Sequence, residues 1–451
     1  MSAHHRPRVA VVGSGITGLS AAWRLAPDAE VVLFEADRHF GGHAHTVDIT
    51  LEGVRHGVDT GFLVFNHATY PQLVRLFDQL AVPTVASEMT FSVQVPDSGL
   101  EWSGCNLNTV FAQRSNLLRP RFLGMLADLL RFNRLCTRIA EAQAETTLQQ
   151  PIEAFLAAHR FSAAFRDWYL LPMLGCIWSC PTDQMLRFPV ATMIRFCHNH
   201  GLIRVTDRPQ WYTVAGGSRE YVQRLLVGIP DARLNTPVRA LRRVPPGTAM
   251  AGVWLDTDAG SEHFDQVILA GHSDQSLALL GPQASAEERA VLGAIHYQRN
   301  RAVLHTDASL LPRRRKAWAA WNYERAARAG QQQASVCLHY LINRLQPLPW
   351  QTPVVVSLNP SREPDPRLVQ AEFDYAHPVF DSAAIAAQAR VSGLQGAAGV
   401  WFAGAWTGYG FHEDGLRSGL AAADSLRHHW ATQVGAGTTA GALARTHRVA
   451  A

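Results

Sequence analysis

An α/β fold with an interleaved α+β domain is predicted for this 451-residue chain by three observations. The chain opens with strand, glycine turn, helix, strand and acid between Val9 and Glu35. Glycine-punctuated strands return at residues 214–271 and 399–415, and helical periodicity replaces β alternation from Asn106 to Arg204. At this length two or three units sharing the chain are expected rather than one core.

The first observation is the most specific. Val9-Ala10-Val11-Val12 is a short apolar run that meets Gly13-Ser14-Gly15-Ile16-Thr17-Gly18, after which Leu19, Ala22 and Leu25 follow at helical spacing. A second apolar run, Val31 to Phe34, stops at Glu35-Ala36. Gly13 allows the tight turn, Gly15 lets the backbone approach a pyrophosphate, and Gly18 lets the helix pack on the strand. Amides at the helix start would hold the phosphates, and Glu35 is placed to accept hydrogen bonds from a ribose diol. A GxGxxG alone is often only a glycine-rich turn. The two flanking strands and the acid make it a dinucleotide site.

Composition narrows the remaining classes. The chain is 47% hydrophobic and 17% charged with a net charge of +4, which suits a large interior and argues against a nucleic-acid partner. Lys316 is the only lysine, so arginine carries the basic charge. Residues 1–8 lack an apolar core and no window has ~18 uninterrupted apolar residues, so neither a secretory signal nor a spanning helix is expected. The cysteines Cys105, Cys136, Cys176, Cys180, Cys197 and Cys337 are scattered, and reduced thiols in a cytoplasmic protein are expected. The catalytic histidine candidates, His339 and His412, stand in no HxxxH or HExxH pattern, so no metal is expected.

Along the chain, Gly41-Gly42-His43 forms a second glycine pair that would let a ligand pass close to the backbone. Val47–Leu51 and Arg55–Asp59 read as a hairpin, after which Asp59-Thr60-Gly61 returns toward the cofactor face. In the helical interval, Leu117, Leu118, Phe122, Met125, Leu126, Leu129 and Leu130 recur at helix-like spacing. Arg114, Arg119, Arg121, Arg131, Arg134 and Arg138 stand among them against Asp128 alone. That pattern fits a core helix with a solvated arginine face or a membrane-surface segment, which would put the protein at the inner membrane. Helices are expected over Ile152–Ala158, Phe161–Leu171 and Ala191–His200, with the richest aromatic content of the chain.

Val214-Ala215-Gly216-Gly217-Ser218 precedes an amphipathic helix, Ala232–Val238 reads as strand and turn, and Val253–Thr257 and Gln266–Ala270 read as strands. Ala302–Leu304, Ala317–Trp321, Ser335–Tyr340 and Val354–Ser357 are short β runs suggesting an antiparallel sheet. Gly399–Trp406 is a last strand and loop before Thr407–Gly415 and a helix through Ala423. Its free amides near Gly415-Leu416 could stabilise negative charge on a ligand. Residues beyond Val434 are Gly, Ala and Thr rich and read as a disordered tail.

The order GxGxxG, strand-end Glu, Gly-Gly, then Asp-x-Gly resembles the flavoprotein superfamily of flavin amine oxidases, protoporphyrinogen oxidases and phytoene-type desaturases. His339–Asn343, Val355–Pro360 and Tyr409–Gly415 are similar to its bacterial amine-oxidase-like NAD/FAD-binding branch, which is associated with lipid modification. The resemblance implies a Rossmann-type, glutathione-reductase-like FAD-binding domain with an interleaved α+β substrate domain. It implies FAD held by Gly13, Ser14, Gly15, Ile16, Thr17, Gly18, Glu35, Ala36, Gly41, Gly42, His43, Thr60, Gly61, Val238, Gly404, Gly415, Leu416 and Ser418, and because no Cys or His stands where a covalent link would be obvious, the FAD is expected to be non-covalent. The FAD domain is expected at residues 1–61, 214–280 and 396–430, the substrate domain at 62–213 and 281–395, and the tail at 431–451.

Three departures shape the chemistry. Ala405 stands where relatives commonly carry an acid after Phe-Ala-Gly, and no lysine occurs in His296–Leu304, where many amine oxidases place one. Tyr340 and Tyr409 could form the aromatic pair of an amine oxidase, though the sequence does not establish that they meet. His339, Tyr340, Tyr409 and His412 are the catalytic candidates. The expected function is hydride transfer from a substrate C–H bond to flavin, dehydrogenating a small-molecule or lipid-like substrate such as a fatty acyl chain. The alternatives are an amine oxidase making imine and hydrogen peroxide, and a non-catalytic flavin-fold binding protein.

Overall fold

The computed structural model describes residues 6–144, 148, 150–204, 207–245, 248, 251–325 and 336–446. Two compact units share the chain. The first comprises Met1–Gly42, Tyr221–Ala294 and Ala387–Ala451, and the second His43–Glu220 and Ile295–Ala386.

The first unit is built on a five-stranded sheet in the order Asp231–Arg233, Glu30–Phe34, Arg8–Val12, Gln266–Leu269, Val400–Phe402. Every pairing in it is parallel. Its central strands read as continuous apolar runs because both faces are covered, and Val9, Ala10 and Val11 are fully buried. Helix Ile16–Leu25 packs against the C-terminal helix His412–Thr446, and a Cβ on Gly419 would lie 2.2 Å from the Thr17 carbonyl oxygen. Glycine there lets the two helix backbones touch. An antiparallel sheet of Val238–Val244, Gly252–Thr257 and Gly260–Phe264 completes the unit, so Val253–Thr257 and Gln266–Ala270 lie in different sheets.

The second unit holds a seven-stranded sheet in the order Val369–Val379, His296–His305, Val355–Leu358, Cys337–Leu341, Trp321–Glu324, Phe91–Val95, Leu100–Ser103. Only the pairing of Trp321–Glu324 with Phe91–Val95 is parallel. Its helices include Pro120–Glu141, Ile152–Ala158, Leu171–Trp178 and Val190–Asn199. The run Ala163–Trp178 passes through a π-helical stretch at Arg166–Leu170.

Several expectations are corrected. Ala317–Trp321 is not a strand: Arg315–Ala317 is a 3₁₀ turn, and the strand begins at Trp321. The C-terminal helix runs from His412 to Thr446, and residues 447–451 lie outside the described residues. Ser335, the expected start of a β run, also lies outside them, and the strand is Cys337–Leu341.

The units change over after Gly42, Glu220, Ala294 and Ala386, where the sequence reading set the changes after residues 61, 213, 280 and 395. Two polar ties account for much of the difference. The Asp59 carboxylate, at the end of the hairpin Thr46–Leu51/Val54–Asp59, accepts from Ser218 N at 2.9 and 3.0 Å and from Gln346 Nε2 at 2.8 Å. In the first unit, Arg243 pairs with Glu288 of helix Ala286–Leu292 at 2.5 Å.

Candidate functional site: a dinucleotide cradle and a two-faced sheet

In the first unit the glycine segments converge. Gly13 adopts φ +100°, and its amide donates to the Phe34 carbonyl at 2.8 Å, so the turn closes across the strand ends. A Cβ on Gly18 would sit 1.8 Å from the Gly13 carbonyl oxygen, which no side chain tolerates. At Gly15 a Cβ would meet nothing within 4 Å, so the space in front of that residue is open. Gly15 caps helix Ile16–Leu25 without a side-chain hydrogen bond, leaving first-turn amides for an anion.

The second glycine pair lies directly against this turn. Gly41 forms a parallel bridge with Gly15, and its amide donates to the Ser14 carbonyl at 3.0 Å. Gly42, at φ +57°, leaves a Cβ position only 3.2 Å from the Gly15 Cα. Glu35 accepts from Ser14 N at 2.8 Å and from Asp37 N at 2.9 Å, and a carboxylate retains lone pairs for a diol. Ala36 beside it is exposed. The third segment docks here too, with Thr236 N donating to Glu35 O at 2.8 Å, two residues before Val238.

The C-terminal segment completes the cluster. Gly404 N donates to Ser418 Oγ at 3.0 Å, and Gly415 packs so that a Cβ would fall 2.9 Å from side-chain atoms of Ile16 and Thr17. The starts of helices Ile16–Leu25 and His412–Thr446 are therefore neighbours, with Leu416 buried beneath. Ala405 sits 3.6 Å from the same Cβ position, so its methyl occupies that corner where relatives were expected to carry an acid. Asp414 accepts from Tyr409 N at 3.0 Å and Phe411 N at 3.1 Å and bridges to Arg417 at 2.7 Å. Burial nevertheless pushes its carboxyl above the usual range.

His412 meets Tyr221 Oη through Nε2 at 2.6 Å. Burial pulls its pKa down to about 3, so it is neutral at physiological pH and a weak base. This weakens the expectation of His412 as a general base. Tyr409 is half-buried beside the glycine turn.

His43, Thr60 and Gly61 belong to the second unit, where their neighbours are protein groups. The His43 ring lies 4.9 Å from Tyr375 and 5.3 Å from His377, and Thr60 Oγ1 lies 2.7 Å from Tyr375 Oη. A Cβ on Gly61 would strike the His43 carbonyl oxygen at 2.2 Å. The cluster of His43, His45, Phe373, Tyr375 and His377 was missed from sequence. Its signal was there: aromatic rings alternate along Phe373-x-Tyr375-x-His377. Asp59 was seen only as part of a motif. Burial pushes its pKa up to about 6 against the donors Thr46 and Ser218.

The seven-stranded sheet separates the remaining candidates. Successive residues of a strand point to opposite faces, so His339 and Tyr340 part company. Tyr340 lies 5.1 Å, ring to ring, from Trp321 and bonds Ser179 at the end of helix Leu171–Trp178. On the same face, Phe91 meets Trp102 at 5.8 Å and Tyr169 at 6.4 Å, and Gly175 lets the helix approach Tyr323. Burial raises the Tyr340 phenol, which stays protonated.

The opposite face is polar. His339 is fully buried, with Nδ1 2.6 Å from Ser357 Oγ and Nε2 3.3 Å from Glu324 Oε2, and Ser357 Oγ continues to His305 Nε2 at 2.7 Å. Burial pulls the His339 pKa down, but Cys337 and Glu324 outweigh it and push it up to about 10. His339 is then an imidazolium held in an ion pair, which a general base cannot be. Among the described residues, Glu324, Cys337 and His339 are the group whose ligand-type atoms all lie within 4.8 Å. Cys337 Sγ lies 3.5 Å from His339 Nε2, the nitrogen that also meets Glu324. The described cysteines are free thiols, five of them buried.

Residues 11–80 match the NAD(P)-binding Rossmann-like domain family. No curated protein sequence matches the chain. Among solved structures, it is similar to a CLA-producing fatty acid isomerase from P. acnes, at 15% identity, TM-score 0.63 and coverage of 93% of this chain and 98% of that one. It is also similar to cyclohexylamine oxidase from Brevibacterium oxydans, at 14% identity and TM-score 0.66, covering 94% and 99%. Putrescine oxidase bound to putrescine matches at 14% identity and TM-score 0.64, again covering 94% and 99%. The chain therefore has the mixed α/β fold of these proteins, with a Rossmann-like dinucleotide-binding segment at residues 11–80.

Proposed function

We propose that this protein is an FAD-dependent oxidoreductase that dehydrogenates a hydrophobic substrate, a fatty acyl chain in the first instance. The carrying observation is the convergence of Gly13–Gly18, Gly41-Gly42, Glu35 with Thr236, and Gly404–Gly415 around the open space at Gly15. A nucleotide phosphate needs one helix start. A cofactor with a second, redox-active end also needs contacts beyond it, and the start of the C-terminal helix lies beside the first. FAD, when bound, accepts a hydride from a substrate C–H bond.

The residues named around that chemistry have separate tasks. Gly15, Ile16 and Thr17 offer backbone amides to the diphosphate and Glu35 takes the ribose hydroxyls. The Gly415 amide, expected to be free, donates to the Phe411 carbonyl at 3.0 Å, so developing negative charge is met by the positive end of helix His412–Thr446 rather than by that amide. His43, Thr60, Gly61, Val238 and Ser418 remain in the proposed cofactor set. The aromatic face carrying Tyr340, Trp321, Phe91 and Tyr169 is an apolar surface of the kind an acyl chain packs on. Removing two hydrogens from adjacent carbons sends two electrons to the cofactor and releases one proton, and dioxygen or a quinone would reoxidise it. Tyr340 and Tyr409 are the proposed substrate contacts.

The test is to purify the full chain, identify its chromophore, and mix it anaerobically with phospholipid or free fatty acid. Bleaching of the flavin band with formation of a more unsaturated acyl chain supports the proposal. A second reading, oxidation of a primary amine, draws on the fold shared with two amine oxidases. Bleaching by simple amines and not by lipid would replace the first reading with it.

A further inference from the structure

In the second unit, the described residues expose large apolar side chains in one place more than elsewhere. Of the eight large hydrophobic residues exposed among the described residues of both units, five fall between residues 107 and 130: Leu107 at 78%, Leu117 at 49%, Leu118 at 87%, Leu123 at 43% and Leu130 at 42%. They are locally joined. Asn108, next to Leu107, accepts from Arg114 at 2.6 Å, and Phe111 packs edge-on against Phe122 of helix Pro120–Glu141 at 6.0 Å. Leu117 and Leu118 lie on the 3₁₀ turn that leads into that helix.

The helix is amphipathic in an unusual sense. Phe122, Met125, Phe132 and Cys136 are buried, and its outer face changes from leucine at Leu123 and Leu130 to arginine at Arg131, Arg134 and Arg138. Arg114, Arg119 and Arg121 stand at the other end of the patch, and Arg121 lies over the Trp168 ring at 5.1 Å. The one acid within residues 106–140 is Asp128, and it is bound by Arg131 at 2.8 Å and by Ser162 N at 2.9 Å. A monomer face of solvated arginines would not need five exposed leucines among them.

We propose that the surface formed by Leu107, Leu117, Leu118, Leu123 and Leu130, flanked by these arginines, docks on an anionic phospholipid bilayer. The leucines enter the boundary between headgroups and acyl chains, and the arginines bind headgroup phosphates. No described helix is long and apolar enough to cross a membrane, so contact is from one side. This inference deepens the acyl-chain reading by naming the bilayer as the source of the substrate. The docking itself is read independently of turnover.

The experiment is co-sedimentation of the full-length flavin-loaded protein with vesicles of phosphatidylcholine alone and with added phosphatidylglycerol. Binding to the anionic vesicles that falls as salt rises, with at least about tenfold weaker binding to the neutral ones, is expected. Leu118→Ser and the pair Arg134→Glu with Arg138→Glu should each weaken binding about tenfold or more while flavin content and circular dichroism stay unchanged. Equal binding to both vesicle types, no binding, or wild-type binding by these exposed-site variants overturns the proposal. Vesicle binding without flavin bleaching would leave docking standing and sink the acyl-chain reading instead.

Discussion

The glycine cradle of the first unit and the seven-stranded sheet of the second show two ways in which sequence specifies a site. In the cradle, function resides in backbone approach, so the identity of a residue is nearly the whole message: Gly18 is glycine because the Gly13 carbonyl stands 1.8 Å from where a Cβ would be. In the sheet, function resides in which side chains share a face. His339 and Tyr340 are adjacent in sequence, yet one enters an ion pair with Glu324 and the other an aromatic layer with Trp321. Neighbours in the chain are thereby separated, and residues over a dozen positions apart are joined.

The largest expected effect is at the cradle. Gly18→Val should abolish flavin retention, read as flavin absorbance per mole of folded protein, because relief of the clash requires the helix to leave the strand. Glu35→Ala should weaken FAD by about 10- to 100-fold, as expected for losing hydrogen bonds from a charged acceptor, with titration of FAD into stripped protein as the measurement. Unchanged affinity would mean that the carboxylate serves Ser14 and Asp37 alone.

The sheet offers the sharper contrast. With a folded pKa of about 10 against an ordinary value of 6.5, the His339 ion pair contributes stability fully below about pH 6.5. That stability is lost as pH rises through about 10. Urea melts at several pH values should show this decline in the wild type and its flattening in His339→Gln. The same variant should keep flavin bleaching within about threefold, whereas Tyr340→Ala should slow it by more than about tenfold. If the two variants exchange these behaviours, the assignment of faces is wrong.

Asp59 gives the smallest and most local test. Its pKa is raised to about 6 from an ordinary 3.8, so the folded state holds a proton that the unfolded state has lost between those values. The group therefore withdraws stability as pH rises from about 4 to 6. Asp59→Asn should remove that slope while costing roughly 1–3 kcal/mol, because an amide nitrogen would face the Ser218 and Thr46 donors.

These contrasts explain what was legible. The parallel sheet, the cradle and the helical interval could be read because apolar runs, glycine spacing and 3.6-residue periodicity are local signals. The strand expected at Ala317–Trp321 was misplaced because those alanines are buried without being extended. Asn322 Oδ1 accepts from Ala319 N at 2.9 Å and holds the segment in a turn. The Glu324 and His339 pair was illegible because it depends on the register that sets Asn322 opposite His339 and Glu324 opposite Cys337. The arginine-rich helix could be recognised in sequence, but Leu117 and Leu118 could be assigned to solvent only once the turn was seen.

The most direct measurement of the central claim is an anaerobic mixing experiment with the purified full-length protein loaded with FAD. Phospholipid vesicles should bleach the flavin, with one acyl chain losing two hydrogen atoms for each flavin reduced, as read by mass spectrometry of the extracted lipid. A flavin that stays oxidised with lipid and is bleached by a simple amine would contradict it.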